Sequence, residues 1–515
     1  MSNNYEEKLT VEFLDSDNQP VAIVGVTNSI DDWTSVNIER DFFVPADGGT
    51  IVIEDDRIDQ LRSVLQNGMK LKISINNNPI MYGYIFKFNI RVSRDSGTSL
   101  TIQFKDLLEY MAQGTCPPNM GYNSQTNFHF NATDTLQTIL KRVVDVFNAE
   151  IGKLPNQDIQ IKVDDTPYMT TATGFGFGLR YSGKRPKAYA RSLSKALNHI
   201  TSPQKGESYL SYILRLVKHI GADIKMAPGS DNVIIVQSPS YESNFEFKLN
   251  HFLSKQGYLN GAGCSSNENN VHDIEWEYNL DDQHSVVVLE MNTSGDGKFY
   301  QNNLKAVAVN EIIGYNINNS TELIGGKLEV HAFGHLVLPG YPTNRPDGPS
   351  INPLPQVESF IKQTTTGNLG TGYKYCEPKQ ILYRQTVEFF QQTKVQTKVC
   401  LPKYAVDPNA HTADELVAGA AKLLAEEQDK FLVVKCTADG WTYPGNIGGQ
   451  TKQIIWYPNN ICFLSDETVL GKGGIPFSGA RFWIRKVNWI KNRNQGTKSI
   501  ITLTLPYTHP GEVSP

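Results

Sequence analysis

A thirteen-residue segment of this chain occurs twice, and the repeat limits the folds that the chain can adopt. IFKFNIRVSRDSG, at 85–97, and IRKVNWIKNRNQG, at 484–496, align at an offset of 399 positions with five identical residues. Each segment leads into an alternating strand pattern, SLTIQF in the first and SIITLTL in the second. The repeat predicts two similar β-domains in one chain, separated by other structure. The identical pairs are Ile85 and Ile484, Lys87 and Lys486, Asn89 and Asn488, Arg94 and Arg493, and Gly97 and Gly496.

The repeat also predicts which side chains face the interior. We expect the two segments to form equivalent hairpins, in which Lys87 and Lys486 point away from their neighbours Phe88 and Val487, because adjacent strand residues point to opposite faces. The expected inner faces are Ile85, Ile102 and Phe104 in the first domain and Ile484, Leu503 and Leu505 in the second.

Strand patterns fill the first part of the chain. Between residues 8 and 110 the sequence alternates apolar and polar residues, which is typical of half-buried strands. Turn residues such as those at 47–49 and 76–79 separate these strands. Six short strands at this spacing favour a small barrel or sandwich, so residues 1–115 are predicted to be a first β-barrel domain. The strand segments are KLTVEFL, TSVNIE, GTIVIE, MKLKISI, YGYIFKFNIRV and SLTIQF.

Residues 116–250 change to a mixed pattern. Apolar residues at three- and four-residue spacing predict helices near 133–150 and 208–220. Ser208 can cap the second helix, and Gly221 can end it. A strand–turn–strand pattern follows, so this region is predicted to be an α+β module.

The rest of the chain returns to strands. Residues 251–310 and 380–515 are predicted to form the second β-barrel domain, with a helix at 412–428 that begins in a capping-box pattern. Residues 311–379 are rich in Gly, Pro and Asn and are predicted to be an irregular insertion. The predicted fold class is therefore α+β, β-rich and multidomain.

Composition excludes several classes of protein. The formal net charge of -5 argues against a broadly basic surface for nucleic acid. No apolar run approaches 18 residues, so no membrane span is expected. The polar N-terminus shows no signal peptide, and the six cysteines are far apart without a CxxC pair, which favours free thiols in a protein made in the cytoplasm.

No motif predicts catalysis or a bound cofactor. His331 and His335 have the spacing of a helical zinc site, but their flanks read as strand and no Glu follows His331. The glycine-rich stretch at 174–178 lacks a phosphate-binding pattern, and the basic run at 184–191 favours a solvated loop or a protein contact over nucleic acid. Paired acids lie in turn contexts, and no GxSxG is present. We therefore expect no enzyme activity and no catalytic, cofactor-binding or metal-binding residues.

Four segments together resemble the baseplate hub proteins of contractile-tailed phages, in the Mu-like tail-hub or late-control protein D-like group. The order of the segments carries the resemblance more than any one of them. The long 311–379 insertion and the PGSDN turn depart from the family pattern. The matching features are Gly83, Tyr84, Ile85, Asp106 and Leu107 in the first segment; Gly206, Glu207, Ser208, Leu214, Arg215, Leu216 and Gly221 in the second; TADELVAGAAKLLAEEQ as the third; and the closing hairpin ARFWIRKVNWIKNRNQGTKSIITLTLP as the fourth.

The resemblance implies a structural role in the tail baseplate of a virion assembled in the host cytoplasm. Such a hub is a homotrimer whose six similar β-domains adapt the sixfold tail tube protein to the threefold central spike protein, with the tape measure protein and the baseplate wedge as further candidate partners. DNA would pass through its channel without specific binding, which agrees with the negative net charge. Two alternatives are the hub of a phage-derived contractile injection system or tailocin, and a β-rich carbohydrate-active enzyme with a convergent pair of buried carboxylates.

Overall fold

The structure of the protein is a computed structural model. It describes residues 7–21, 34–54, 58–94, 97–117, 136–151, 162–163, 203–218, 223–237, 246–251, 269–279, 284, 286–291, 305–309, 336–338, 374–375, 402–407, 423, 426–427, 430, 432–447, 450–466, 480–492 and 496–504.

Twelve of the strands form one sheet. Six of them come from the N-terminal part of the chain, here the N-block: β1 (Leu9–Leu14), β2 (Ser35–Asp41), β3 (Gly48–Ile53), β4 (Lys70–Ile75), β5 (Asn78–Ser93) and β6 (Gly97–Lys105). The other six are here the C-block: β10 (Glu246–His251), β11 (Val271–Tyr278), β17 (Leu432–Asp439), β20 (Asn460–Asp466), β21 (Ala480–Asn492) and β22 (Gly496–Thr504).

The remaining elements of the described residues are smaller. The helices are α1 (Ile58–Val64), α2 (Leu108–Gln113), α3 (Leu136–Ile151) and α4 (Tyr209–Lys218). The other strands are β7 (Lys162–Val163), β8 (Asp223–Met226), β9 (Val233–Gln237), β12 (Val286–Met291), β13 (Lys305–Val309), β14 (Leu336–Leu338), β15 (Lys374–Tyr375), β16 (Pro402–Asp407), β18 (Thr442–Ile447) and β19 (Gln450–Ile455). This content confirms the predicted β-rich α+β, multidomain fold class.

The two blocks have the same strand order. The N-block runs β1-β4-β5-β6-β3-β2, and the C-block runs β10-β20-β21-β22-β17-β11. Neighbouring strands are antiparallel throughout the N-block. The C-block differs at one place, because β10 pairs with β20 in parallel.

The predicted equivalence of the two hairpins is confirmed at the level of register. Every pair of the β5–β6 ladder maps onto a pair of the β21–β22 ladder at the offset of 399, from Ile85↔Phe104 and Ile484↔Leu503 to the final pairs at Gly97 and Gly496. Both ladders also shift register at the same position, between residues 85 and 87 and between 484 and 486. A shared bulge is more specific than shared strands, since it fixes which side chains change face.

The predicted inner faces need one correction. The two ladders make Ile501 and Leu503 the equivalents of Ile102 and Phe104, and all four side chains are buried. Leu503 is therefore on the inner face as predicted, Ile501 is added to that face, and Leu505 lies outside the described residues. Lys87 is exposed while its neighbour Phe88 packs against the core, as expected.

One apolar core runs through both blocks. Ile38 and Ile102 of the N-block and Trp489 and Leu503 of the C-block belong to the same cluster of buried side chains. Because burial of a large apolar side chain stabilises the fold by about 1.5–3 kcal/mol, a core shared in this way couples the stability of the two blocks.

The α+β module forms a second core beside the N-block. Helices α3 and α4 confirm the two predicted helices, and β8 and β9 confirm the predicted strand pair. Ser208 caps α4 as predicted, because its Oγ accepts the backbone N–H of Ser211 at 3.1 Å. Helix α2 packs against α4 with a backbone bridge between Thr115 and Ser208.

A separate five-stranded sheet has the order β15-β14-β13-β12-β16. Strands β12 and β13 come from the range that the sequence assigned to the second β-barrel, and β14 and β15 from the predicted irregular insertion. Most of the predicted helix at 412–428 lies outside the described residues. The domain boundaries themselves stay a prediction.

The hairpin glycines give a test of the shared geometry. Gly97 and Gly496 both have φ of 72°, with no neighbouring atom within 4 Å of an added Cβ. We expect Gly496→Val to lower the free energy of unfolding by about 1–2 kcal/mol, because the left-handed conformation strains a β-branched residue, and Gly496→Asn to cost less. Urea unfolding monitored by tryptophan fluorescence measures both. Equal stability of the Val and Asn variants would contradict this account of the turn.

Candidate functional site: the junction between the two blocks

The two blocks are joined by a continuous backbone ladder, here called the junction. Strand β2 pairs with β21 in antiparallel over seven residue pairs, from Ser35↔Asn492 to Asp41↔Lys486. Its other edge is held by β3 inside the N-block. The junction therefore makes β2 an interior strand and turns two six-stranded blocks into one sheet.

The core side of the junction is fully apolar at its centre. Val36 and Ile38 from β2 and Val487 and Trp489 from β21 each expose 1% of their surface or less. Ile38 lies directly opposite Trp489. Directly opposed apolar side chains stabilise paired strands, so the Ile38–Trp489 pair favours the observed register of the two blocks.

The outer side of the junction is polar. Lys486 Nζ lies 2.6 Å from Glu39 Oε1, on a diagonal of the ladder, and both side chains are partly exposed. Arg485 Nε lies 3.5 Å from Asp41 Oδ1. Exposed ion pairs contribute only about 0–1 kcal/mol. The Lys486–Glu39 pair therefore favours the correct alignment of the strands but adds little to the stability of the junction.

Two further contacts cross between the blocks. The carboxylate of Glu7, ahead of β1, accepts the backbone N–H groups of Trp441 and Thr442, where β17 turns into β18. In the other direction, the Tyr457 ring lies 5.4 Å from the Arg40 guanidinium and its hydroxyl donates to the carbonyl of Ile80 at 3.4 Å. The blocks are thus tied at several points besides the ladder.

A buried ionic cluster lies at the end of β2. Arg40 Nε is 2.9 Å from Asp47 Oδ2, and Lys225 Nζ is 3.1 Å from Asp47 Oδ1. All three side chains expose less than a tenth of their surface. Burial is the largest effect and lowers the pKa of Arg40, but Asp47, Tyr457 and Asp106 together outweigh it and raise the pKa above its ordinary value.

Asp106 is the second buried carboxyl of the cluster. Its Oδ2 accepts the backbone N–H of Asp47 at 3.1 Å and its Oδ1 accepts that of Leu108 at 3.0 Å. Burial, reinforced by the negative charge of Asp47, raises the pKa of Asp106 to about 8, although Lys225 and Arg40 act in the opposite direction. Asp106 therefore holds the segment after β6 against the loop before β3.

The cluster also docks the α+β module onto the N-block. Arg40 donates to the carbonyl of Met226 at 3.0 Å, and Lys225 donates to the carbonyls of Asp41 and Val44. Both contacts connect β8 to the end of β2. The module is thus fixed at the strand that forms the junction.

The segment 206–208, just before α4, stabilises the α+β module. Gly206 has φ of 81°, which suits glycine. Glu207 receives two hydrogen bonds from Arg215, at 2.9 and 2.8 Å. Burial favours a higher pKa for Glu207, but the Arg215 hydrogen bonds hold the pKa below its ordinary value. The segment therefore has a structural role in the start of α4.

The acidic residues at the end of β2 are the candidates for the convergent carboxylates that a carbohydrate-active enzyme would need. Glu39, Asp41 and Asp47 line a cleft of about 400 Å³. Both oxygens of Asp47 are engaged by Arg40 and Lys225, and Glu39 pairs with Lys486. A carboxylate committed to two buried cations is poorly placed to transfer protons to a substrate, so the geometry favours a structural cluster.

Several predicted features lie outside the described residues. These are His331 and His335, the glycine-rich stretch at 174–178 and the basic run at 184–191. Within the part of the chain that the structure describes, no group of three or more His, Cys, Asp or Glu is arranged to hold a metal ion, and no helix is both long and apolar enough to cross a membrane. Cys116, Cys436 and Cys462 are buried and form no disulfide.

Sequence reasoning did not find the cluster. Asp106 belongs to a quoted family segment, but its role is not readable from that segment. Arg40, Asp47 and Lys225 lie in separate elements and form no motif. Arg40 and Lys225 lie in β2 and β8 and Asp47 lies in the loop before β3, so no spacing or alternation in the sequence indicates that they meet.

The comparisons with known proteins show the fold. No protein-family model matches the sequence, and no curated protein matches it either. The structure is similar to the tail protein from Neisseria meningitidis MC58, at 14% identity and a TM-score of 0.56, covering 99% of this chain and 100% of that chain. It is also similar to the 43 kDa tail protein of prophage MuSo2 from Shewanella oneidensis, at 11% identity and a TM-score of 0.51, covering 98% of this chain and 100% of that chain. The chain therefore has a fold found in phage tail proteins.

Removal of the Lys225 charge tests the docking of the module. We expect Lys225→Met to lower the free energy of unfolding by about 3–5 kcal/mol, because it removes one of the two buried cations that pair with Asp47 and leaves the carbonyls of Asp41 and Val44 without their donor. Lys72→Met is the matched control, since the Lys72–Glu12 pair at 2.8 Å is part-exposed and should contribute no more than about 1 kcal/mol. Urea unfolding measures both variants, and equal losses would show that burial of the cluster has no special role.

The pH dependence of stability tests Asp106. Because its folded-state pKa is raised from 3.8 to about 8, the folded protein keeps a proton that the unfolded chain releases between these values, and its stability falls as pH rises through this range. Asp106→Asn cannot titrate. We expect the stability advantage of the natural protein over Asp106→Asn to shrink from pH 5 to pH 8 in urea unfolding, and an advantage that grows over this range would contradict the assignment.

Proposed function

We propose that the protein is the structural hub of a contractile phage-tail baseplate, where a homotrimer adapts the sixfold tail tube to the threefold central spike. The observation that carries this proposal is the internal duplication. The N-block and C-block have the same strand order, and their central hairpins share one register and one bulge. Three chains with two such blocks each would present six similar surfaces.

The way in which the blocks are joined supports this arrangement. The junction brings the outer edge strand of one block, β2, against the central strand of the other, β21. The two contributing surfaces are different, which makes the contact head-to-tail, and repeated head-to-tail contacts generate rings when the rotation closes. A closed ring also removes exposed strand edges, which otherwise invite aggregation.

The fold shared with two tail proteins, one of them from a prophage, supports the setting. The tube protein would bind the sixfold side and the spike protein the threefold side, with the tape measure protein and the wedge as further neighbours. A sixfold contact needs little energy at each site, since binding accumulates over six linked positions. DNA or another cargo would pass through the central channel without a specific binding site.

A second setting keeps the same role. In a phage-derived contractile injection system or tailocin, the same hub would join the tube to the spike, but no genome would pass. The genes beside this one distinguish the two settings, because a phage encodes capsid and terminase proteins and an injection particle does not.

The oligomeric state gives the direct test. We expect light scattering to give three times the 57.5 kDa mass of one chain, either for the purified protein alone or after its tube or spike partner is added. Electron microscopy of the complex should then show the N-block and C-block alternating at one height around the threefold axis. A monomer under both conditions, or blocks at different heights, would contradict the hub proposal.

A further inference from the structure

Four strand edges of the sheet have no ladder partner in the described part of the chain: the outer edges of β1 and β10, and two edges that are counterparts of the junction strands. Of these last two, the first is the outer edge of the second half of β5, residues 87–93, where β4 pairs only with the first half. The second is the outer edge of β11, which pairs with β17 on its other side. These two edges belong to opposite blocks, and no described ladder joins them.

The duplication assigns a role to each edge. In the strand order of the blocks, β5 corresponds to β21 and β11 corresponds to β2. The two strands that meet at the junction are β2 and β21. The open edges of β5 and β11 are therefore the counterparts of the two edges that are already paired inside one chain.

The registers make this correspondence specific to single residues. β5 maps onto β21 at the offset of 399, and tracing the ladders through β6, β3 and their counterparts places Ser35 at Asp273 and Asp41 at Asn279. Both blocks keep the same inside and outside faces under this mapping. Ile38, which is buried, falls at Trp276, and exposed Asn37 falls at exposed Glu275.

We propose that β11 of one chain pairs with β5 of a second copy, in antiparallel and in the register of the junction, and that three such seams close the ring. This inference rests on the trimeric hub proposed above and adds the surface that assembles it. The predicted opposed pairs are Asp273 with Ser93, Ile274 with Val92, Glu275 with Arg91, Trp276 with Ile90, Glu277 with Asn89 and Tyr278 with Phe88.

The apolar residues along the two edges support the seam. Phe88 and Ile90 on β5 and Ile274 and Trp276 on β11 pack against the core but stay only partly buried. Their counterparts at the junction are Val487, Trp489, Val36 and Ile38, and each of these exposes 1% of its surface or less. Pairing of the two edges would complete the burial of these four side chains.

Val92 is the clearest exposed member of this set. It exposes 77% of its surface at the end of β5, and it is one of three large hydrophobic residues that are exposed in the described residues. The proposed register places it opposite Ile274. An exposed valine on an open strand edge is an aggregation hazard in an isolated chain, and the seam would cover it with an apolar partner.

The charges along the edges are complementary in the same register. Arg91 falls directly opposite Glu275. Lys87 falls on the diagonal of Glu277, which reproduces the diagonal pair of Lys486 with Glu39 at the junction. Opposite charges at opposed or diagonal positions stabilise strand pairs, and a slip of one residue would place these charges on the apolar face.

The positions of the open β5 and β11 edges indicate that the partner is a second copy of the chain. Within the described residues each chain has one β5 edge and one β11 edge without a ladder partner, and these lie in different blocks, so each chain can pair with one neighbour at each edge. Contacts of this kind form a closed ring or an open filament. With three chains, the ring would contain three junctions within chains and three seams between chains.

Engineered cysteines test the seam in the full-length protein. Glu275→Cys with Arg91→Cys places two thiols at opposed positions, where Cβ atoms are about 4.5–5.5 Å apart, within reach of a disulfide. Glu277→Cys with Ser93→Cys is the matched control on the same strands and the same face. That pair is four positions out of register, so its thiols are about 13 Å apart. Both variants are oxidised beside the unsubstituted chain, which controls for the native cysteines.

The proposal expects covalent dimers and trimers from the opposed pair, few from the control pair, and the 275–91 link in the mass spectrum of the digest. A ladder of products beyond the trimer would overturn the closed ring. A particle that is trimeric by light scattering but gives no link from the opposed pair would overturn the seam and leave the hub proposal standing. A chain that is monomeric with and without its tail partners would overturn both.

A charge exchange provides a test without cysteine chemistry. Glu275→Arg alone, or Arg91→Glu alone, should raise the protein concentration at which the trimer dissociates by about tenfold, because each ring holds three copies of the pair. The double variant should restore the original value. Two single effects that simply add in the double variant would show that these residues do not face each other.

Discussion

The antiparallel ladder between β2 and β21 is the interaction on which the rest of the architecture depends. It joins residues near the two ends of the chain, with Ser35 opposite Asn492. Without it, β2 and β21 would each expose an edge and the shared core would be divided. Since a pairing of such long range carries a large loop-closure cost, the protein reinforces it with opposed apolar side chains, a diagonal ion pair and the contact of Glu7 with the C-block.

The buried ionic cluster shows how this ladder is connected to the α+β module. Arg40 lies within β2 itself and donates to the carbonyl of Met226, so the strand that joins the blocks also holds the module. Buried ion pairs contribute modestly to net stability but strongly disfavour incorrect arrangements, because each unpaired charge would stay in an apolar interior. The cluster therefore favours one orientation of the module, which an apolar contact alone would specify less sharply.

Local patterns in the sequence predicted most of the elements and few of their relations. The spacing of apolar residues predicted α3 and α4, and the side chain of Ser208 predicted the cap, because these depend on neighbours a few residues away. The repeat predicted the shared hairpin once Gly97 and Gly496 were aligned, but it gave no sign of the shared bulge after Ile85 and Ile484. The junction and the meeting of Arg40, Asp47 and Lys225 depend on contacts between residues far apart in the chain, for which alternation and spacing carry no signal. The parallel pairing of β10 is of the same kind, since strand direction is set by the connection rather than by the strand.

The C-block is assembled from two parts of the chain, and this has a consequence for how such a protein can change. β11 ends at Tyr278 and β17 begins at Leu432, yet the two strands are direct neighbours. The whole segment between them, including the five-stranded sheet, is an insertion in the connection between two neighbouring strands of the C-block. The entropic cost of closing a loop grows only with the logarithm of its length, by about 0.6 kcal/mol for each doubling. This connection can therefore tolerate insertions of very different length. Evolution can exchange the inserted segment while the strands that build the twelve-stranded sheet keep their register.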